Sequence, residues 1–267
     1  MPDDRWLSGG AYERFMGRWS RRIAVGFLEW LAQAPHQVWL DVGCGTGALT
    51  TTILATSEPA AVTGLDLSEP FIAAAAAAVG DRRVSFRVGD VQRLPFEDQS
   101  FDTVVAGLSL NFMPEPHRAV AEMTRVARAG GAVGAYVWDY SRGMQMLRTF
   151  WDAARKIDPS LAVDEAQRNP LCAPEPLERL FAGARLANVE VESIEIETRF
   201  ADFDDYWAPF EGGTGPAPAY LRALDPDARA ALAGELRRSL KADSAGSIVL
   251  RAGAWAVKGS RHHDGPR

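Results

Sequence analysis

Three glycines at alternate positions, Gly43, Gly45 and Gly47, close the run VWLDVGCGTG (residues 38–47), and Asp41 stands two residues before the first of them. Glycine leaves no Cβ between backbone and ligand, and it allows the positive φ that a sharp strand-to-helix turn often needs. Asp41 is placed where a carboxylate can accept a hydrogen bond or meet a positive charge, and Cys44 lies inside the turn. The apolar residues before the turn read as a strand, and Ala48–Ala55 resumes helical spacing. Strand, glycine turn and helix in that order make a loop for a nucleoside-like cofactor. The segment GCGTGA also satisfies the dinucleotide pattern G-x-G-x-x-G/A, and Asp66, at the end of the next apolar run AAVTGLDLS, can grip ribose hydroxyls of either kind of cofactor.

The residues further on separate the two. Residues 84–107, VSFRVGDVQRLPFEDQSFDTVVAG, read as a third strand, a polar loop entered at Gly89-Asp90-Val91, and a fourth strand entered through Phe101-Asp102. With DVGCGTG, GLDLS and the following LSLNFMPEPHRAVAEMTRVARAGG, this set resembles the class I S-adenosylmethionine-dependent methyltransferases. It is most similar to the methyltransferase 11 type, which includes the ubiquinone and menaquinone C-methyltransferases. The resemblance covers roughly residues 36–140 in one unbroken order. It implies that Asp41, Gly43, Cys44, Gly45 and Gly47 surround the methionine part of S-adenosyl-L-methionine, and that S-adenosyl-L-homocysteine is the product. It further implies that Asp66 binds both ribose hydroxyls with Leu67 beside the adenine, that Asp90 and the Val91 amide meet the adenine edge, and that Leu108 lies near the sulfonium. An NAD(P)-dependent oxidoreductase, or a protein that senses the cofactor without turnover, is the alternative.

A sulfonium methyl is already activated, so transfer depends chiefly on placing a nucleophile in line with the leaving sulfur. A phenol, amine or enolisable carbon would still need a base. His36 falls at the amino edge of the first strand, and His262 and His263 belong to a polar tail. That leaves His117, at a helix start, and Asp139, which ends the fifth strand as Trp138-Asp139-Tyr140 near Asn111. Tyr12, Phe15, Trp19, Trp138, Tyr140, Trp207 and Phe210 fall in segments expected to overhang the site, where ring faces can hold a sulfonium or a planar acceptor.

The elements that must position these residues alternate strand and helix. Strands near 37–42, 60–66, 83–88, 101–107 and 132–138 imply a parallel sheet covered on both faces. Pro114 and Pro116 bound the start of a helix that Gly130-Gly131 should end. ANVEVESIEIETRF and GSIVLRAGAWAVKG read as two more strands, and in the resembled fold the last slots between the fifth and sixth. The expected fold is therefore α/β, Rossmann-like, a seven-stranded mostly parallel sheet with helical lid insertions. Its parts are an N-terminal helical lid at 1–35, a cofactor-binding core at 36–140, a helical insertion at 141–186, sheet-closing strands at 187–260 with a second helical insertion at 202–243, and a flexible tail at 261–267. In the lid helix Arg14, Arg18, Arg21 and Arg22 share the side opposite the apolar residues, as a solvated face or an acid-binding rim.

Composition narrows the partner. A hydrophobic content of 47% over 267 residues supports a large core, and a net charge of −6 disfavours a nucleic-acid substrate, which needs a basic surface. A small organic acceptor, methylated at oxygen, nitrogen or carbon, is the expectation. Two cysteines give neither a disulfide framework nor a metal cluster, so no metal is expected. The longest apolar stretch, Ile72–Val79, is too short for a membrane span, which needs about 20 residues. With no secretory leader in MPDDRWLSGG, the expected setting is cytoplasmic, as a monomer or homodimer.

Overall fold

A computed structural model describes residues 16–213 and 215–262. Tyr12, Arg14, Phe15 and His263 lie outside the described residues. Seven strands form one sheet, ordered β3-β2-β1-β4-β5-β7-β6. They are β1 (Val38–Val42), β2 (Ala61–Asp66), β3 (Val84–Val88), β4 (Phe101–Gly107), β5 (Ala127–Trp138), β6 (Leu186–Phe200) and β7 (Ile248–Arg261). The first five run parallel, and β7 lies antiparallel between β5 and β6, the place the resemblance implied. The fold is thus the Rossmann-like α/β arrangement, with the order reversing between β1 and β4. That is the switch point at whose carboxyl edge open sheets bind ligands.

Two apolar layers hold the sheet. One packs α1 (Arg18–Leu31), α2 (Ala48–Thr56) and α5 (Gln145–Ile157) on one face, through Ile23, Phe27, Leu49, Ile53, Phe150 and Trp151. The other packs α4 (Pro116–Val126) and α7 (Pro174–Gly183) on the opposite face, through Val120, Met123, Leu177 and Phe181. Between them, α3 (Glu69–Ala78) follows β2, with Ser68 as its N-cap accepting from the Phe71 amide at 3.4 Å. A short helix, α6 (Glu165–Arg168), links α5 to α7.

Several expectations change here. The helix α4 ends at Val126, not at Gly130-Gly131, and β5 begins at once with a register shift before it settles opposite Thr103 at Ala132. The glycines serve that bend, since a Cβ on Gly131 would stand 2.8 Å from the carbonyl oxygens of both Arg128 and Asp102. Residues 141–186 are not one lid insertion, because α7 covers the sheet against β6 and β7. The second insertion is helical as expected: α8 (Phe203–Gly212), α9 (Pro216–Ala223) and α10 (Pro226–Ser239), the last capped by Asp225, which accepts from the Ala228 amide at 2.8 Å. Of these, α9 and α10 pack on α5, while α8 packs on α9 and the edge strand β6. Phe210 stacks on Phe150 with centroids 4.5 Å apart, which fixes it in the core.

The described part of the leading helix is wall rather than cover, packed against α2, β6 and β7. Its exposed Arg18 and Arg22 tie it to α8 and to the edge strand β6. Arg18 pairs with Asp205 at 3.0 Å and lies over the rings of Trp19 and Phe200, while Arg22 donates to the Glu197 carbonyl at 2.5 Å.

Candidate functional site

A cavity of about 320 Å³ opens at the carboxyl edge between the β1–β2–β3 tips and the β4–β5 tips. That volume suits a small ligand, whose pockets run from about 300 Å³ upward. Asp41, Gly43, Cys44, Gly45, Asp66, Leu67, Asp90, Val91 and Leu108 all line it.

The glycine turn is built by three different needs. Gly43, Gly45 and Gly47 have φ of 68, 54 and 87°, a region other residues enter only at a cost. At Gly43 a Cβ would collide with the Ser109 hydroxyl at 2.7 Å, so this glycine makes room for the residue that follows β4. At Gly45 nothing lies within 4 Å, and the bare side is open cavity. Gly47 does not line the cavity; it faces Ala75 and Phe86 at 3.5 Å and starts α2. The Gly43 and Cys44 amides both donate to the Leu65 carbonyl, at 2.7 and 3.0 Å, which pins the turn to β2.

Three carboxylates line the cavity, at or just beyond the ends of successive strands. Asp41 is fully buried: its Oδ2 accepts from the Thr50 hydroxyl at 2.6 Å, and its Oδ1 has no partner. Burial, helped by the nearby Asp66 charge and opposed by the Thr50 bonds, lifts its pKa to about 7. Asp66 accepts from the Gly45 amide at 3.0 Å and the Ser68 amide at 2.8 Å, so it also braces the loop. Asp90 accepts from the Gln92 amide at 2.9 Å. Burial pushes the Cys44 thiol far up, away from any thiolate role. Leu108 holds φ of 55°, a strained backbone at the cavity wall, and its amide donates to the Tyr136 carbonyl at 2.8 Å.

Of the residues proposed from the sequence for acid–base work and substrate contact, those that are described lie outside the cavity wall. The Asp139 carboxylate accepts from the Ser141 amide and hydroxyl and from the Arg142 amide at 2.9, 2.5 and 3.1 Å, a turn cap outside the cavity wall. His117 is exposed on the surface, 3.7 Å from Glu115. Asn111 donates to Asn169 at 3.3 Å, and Trp207 donates to Glu211 at 2.9 Å. Trp19 and Trp138 are buried in the apolar layer that α1, α2 and α5 help build, with Tyr140 packed against it. In their place Ser20, Phe71, Ser109, Phe112, Met113 and Tyr136 complete the wall. Ser109 and Tyr136 follow or precede motif residues closely, and only strand pairing brings them to one edge.

A family model for a methyltransferase domain matches residues 40–134, the segment that supplies all of this wall except Ser20 and Tyr136. The chain carries a methyltransferase domain. Nocamycin O-methyltransferase of Saccharothrix syringae is 28% identical over 260 residues, 90% of each chain. Demethylmenaquinone methyltransferase of Roseiflexus sp. (strain RS-1) is 32% identical over 123 residues, 46% of this chain and 52% of that protein. The chain therefore spans about half the length of that relative. Among solved structures, phosphoethanolamine N-methyltransferase 2 of Haemonchus contortus in complex with S-adenosyl-L-methionine superposes with a TM-score of 0.59 at 17% identity, over 95% of this chain and 56% of that one, which supports the fold of the methyltransferase domain.

Proposed function

We propose that the protein transfers a methyl group from S-adenosyl-L-methionine to a small organic acceptor, at oxygen, nitrogen or carbon, releasing S-adenosyl-L-homocysteine. The observation that carries this reading is the unpartnered Oδ1 of Asp41, a fully buried carboxylate oxygen in the wall of the cavity that the methyltransferase domain builds. Such an atom requires a donor, and a ligand ammonium is the donor the cavity mouth can admit. The open side of Gly45 fits the amino-acid end of the ligand beside it.

In this reading Asp66 holds the ribose hydroxyls with the oxygen capacity left after bracing Gly45, and Leu67, an exposed side chain at the cavity, covers the adenine. Asp90 and the Val91 amide meet the adenine edge, and Leu108 bounds the methyl end. When bound, the ligand supplies an activated sulfonium methyl. The protein's residues then contribute placement and exclusion of water, which are worth several kcal/mol when geometry is held, about 7–11 in the best intramolecular cases. The acidic balance of the chain supports a small acceptor over nucleic acid. Among the described residues no helix is long and apolar enough to cross a membrane, and no group of three His, Cys, Asp or Glu residues is placed to hold a metal.

The test is thermal stabilisation by S-adenosyl-L-methionine, S-adenosyl-L-homocysteine and NAD side by side. A ligand at 100 times its Kd adds about 2.7 kcal/mol to the native state. The first two should raise Tm and NAD should not; the reverse order would move the protein to the nicotinamide class.

A further inference from the structure

Residues 50–52 are three threonines in a row in the first turns of α2, and their hydroxyls do different things. Those of Thr51 and Thr52 donate to carbonyls four residues back, Gly47 at 2.7 Å and Ala48 at 2.9 Å. The Thr50 hydroxyl instead leaves its helix and donates to Oδ2 of Asp41 on β1 at 2.6 Å, and both residues are fully buried. The Thr50 amide bonds the same carboxylate. Gly47, the N-cap of α2, has no side chain to take an orphan amide, and Asp41 does so in its place. Two donors of one residue thus hold a carboxylate whose Oδ1, in the cavity wall, has no partner.

We propose that Thr50 is a positioning residue for the ligand site: by holding Oδ2 it leaves Oδ1 to the ligand ammonium, and it keeps Asp41 in the charged form that accepts that ammonium. The proposal rests on the S-adenosyl-L-methionine reading above. No other group among the described residues does this work. Gly64 on β2 and Val105 on β4 stand opposite Asp41 in register, and the titratable neighbours are Asp66 at the tip of β2 and Cys44 in the turn, whose charges oppose that of Asp41. No lysine, arginine or histidine lines the cavity among the described residues. Both Thr50 bonds pull down a pKa that burial raises to about 7, so without the hydroxyl Asp41 would charge only at higher pH. In the acid form the free oxygen, Oδ1, carries the proton. On binding that O–H bond breaks, the proton passes to solvent, and Oδ1 accepts from the ammonium, which keeps its own protons.

The test uses the full chain and titration calorimetry. S-adenosyl-L-methionine is first titrated into the parent, because absence of heat overturns the functional reading itself and is read before any variant. Kd is then followed between about pH 5.5 and 7.5, below the range in which an α-amino group loses its proton. Thr50→Val keeps the branched shape and removes the hydroxyl. It should displace the rise of affinity upward by about one pH unit, and so weaken binding roughly tenfold at the acid end. Thr50→Ala, a side chain that any helix accepts, should do the same. Thr50→Ser keeps the hydroxyl and should stay within about twofold of the parent at every pH. Methylthioadenosine carries the sugar and base but no ammonium, and it should bind the parent and Thr50→Val equally. A parent-like pH profile in Thr50→Val and Thr50→Ala, an equal loss in Thr50→Ser, or an equal loss of methylthioadenosine binding would each end the proposal.

Discussion

Burial lifts the pKa of Asp41 from 3.8 to about 7, so at mildly acidic pH the native chain retains a proton here that the unfolded chain has lost. The native state therefore binds more protons than the unfolded state between those values, and this residue makes stability fall as pH rises from about 4 to 7. A ligand ammonium reverses the preference by favouring the charged form. Affinity for S-adenosyl-L-methionine should accordingly rise through pH 7, with proton release on binding that calorimetry in buffers of different ionisation enthalpy would detect. Asp41→Asn should flatten both dependences while keeping the Thr50 hydrogen bond through its amide oxygen. A pH-independent affinity in the parent chain would contradict this assignment. Asp139 teaches the opposite lesson. A strand-end aspartate has one sequence signature whether it caps the next turn or faces a substrate, and here three donors of residues 141 and 142 occupy one of its oxygens.

At the scale of elements, the glycine turn makes a prediction that its spacing alone does not. Both Gly43→Ala and Gly45→Ala place a side chain at positive φ, which costs about 1–2 kcal/mol. Gly43→Ala adds a collision with Ser109, so its loss of stability in urea should be the larger, and Ser109→Gly should restore part of it. Gly45→Ala should lose ligand affinity instead, because its Cβ enters open cavity, and Ser109→Gly should not help. Equal effects of the two alanines on both readouts would show that the turn is uniform after all. Periodicity made the strands and most helices legible, since β1, β2 and β4 bring largely apolar runs to the middle of the sheet. The start of β5 was not legible: the helix pattern of residues 116–126 continues smoothly into Ala127, and only pairing with Phe101 ends it. The role of Tyr136 was hidden for the same reason, since its place beside Gly107 is set by strand register.

In the molecule as a whole, the two expected lids turn out to thicken one apolar layer and cover the far strands, through Phe150, Phe210, Leu221 and Leu232 on one face and Leu177 and Phe181 on the other. Among the described residues, none from 141 to 262 lines the cavity. Removing a core contact there, as in Phe210→Ala, should cost about 3–5 kcal/mol of stability. It should leave the Kd for S-adenosyl-L-methionine within a factor of two in chain that remains folded, as chemical denaturation and titration on the same sample would establish. A large affinity loss in folded protein would mean that the helical layer reaches the site. The cofactor half of the account was readable because its residues lie in one contiguous stretch, whereas the rest of the cavity wall joins β4, β5 and α1, which no local pattern links.

The most direct measurement is calorimetric titration of S-adenosyl-L-methionine at pH 8 into the parent chain and into Asp41→Asn. Loss of one charge-assisted hydrogen bond, about 1.5–3 kcal/mol, predicts a saturable heat in the parent and a Kd roughly 10 to 100 times weaker in the variant. No heat in the parent, or the same Kd in both, would contradict the account.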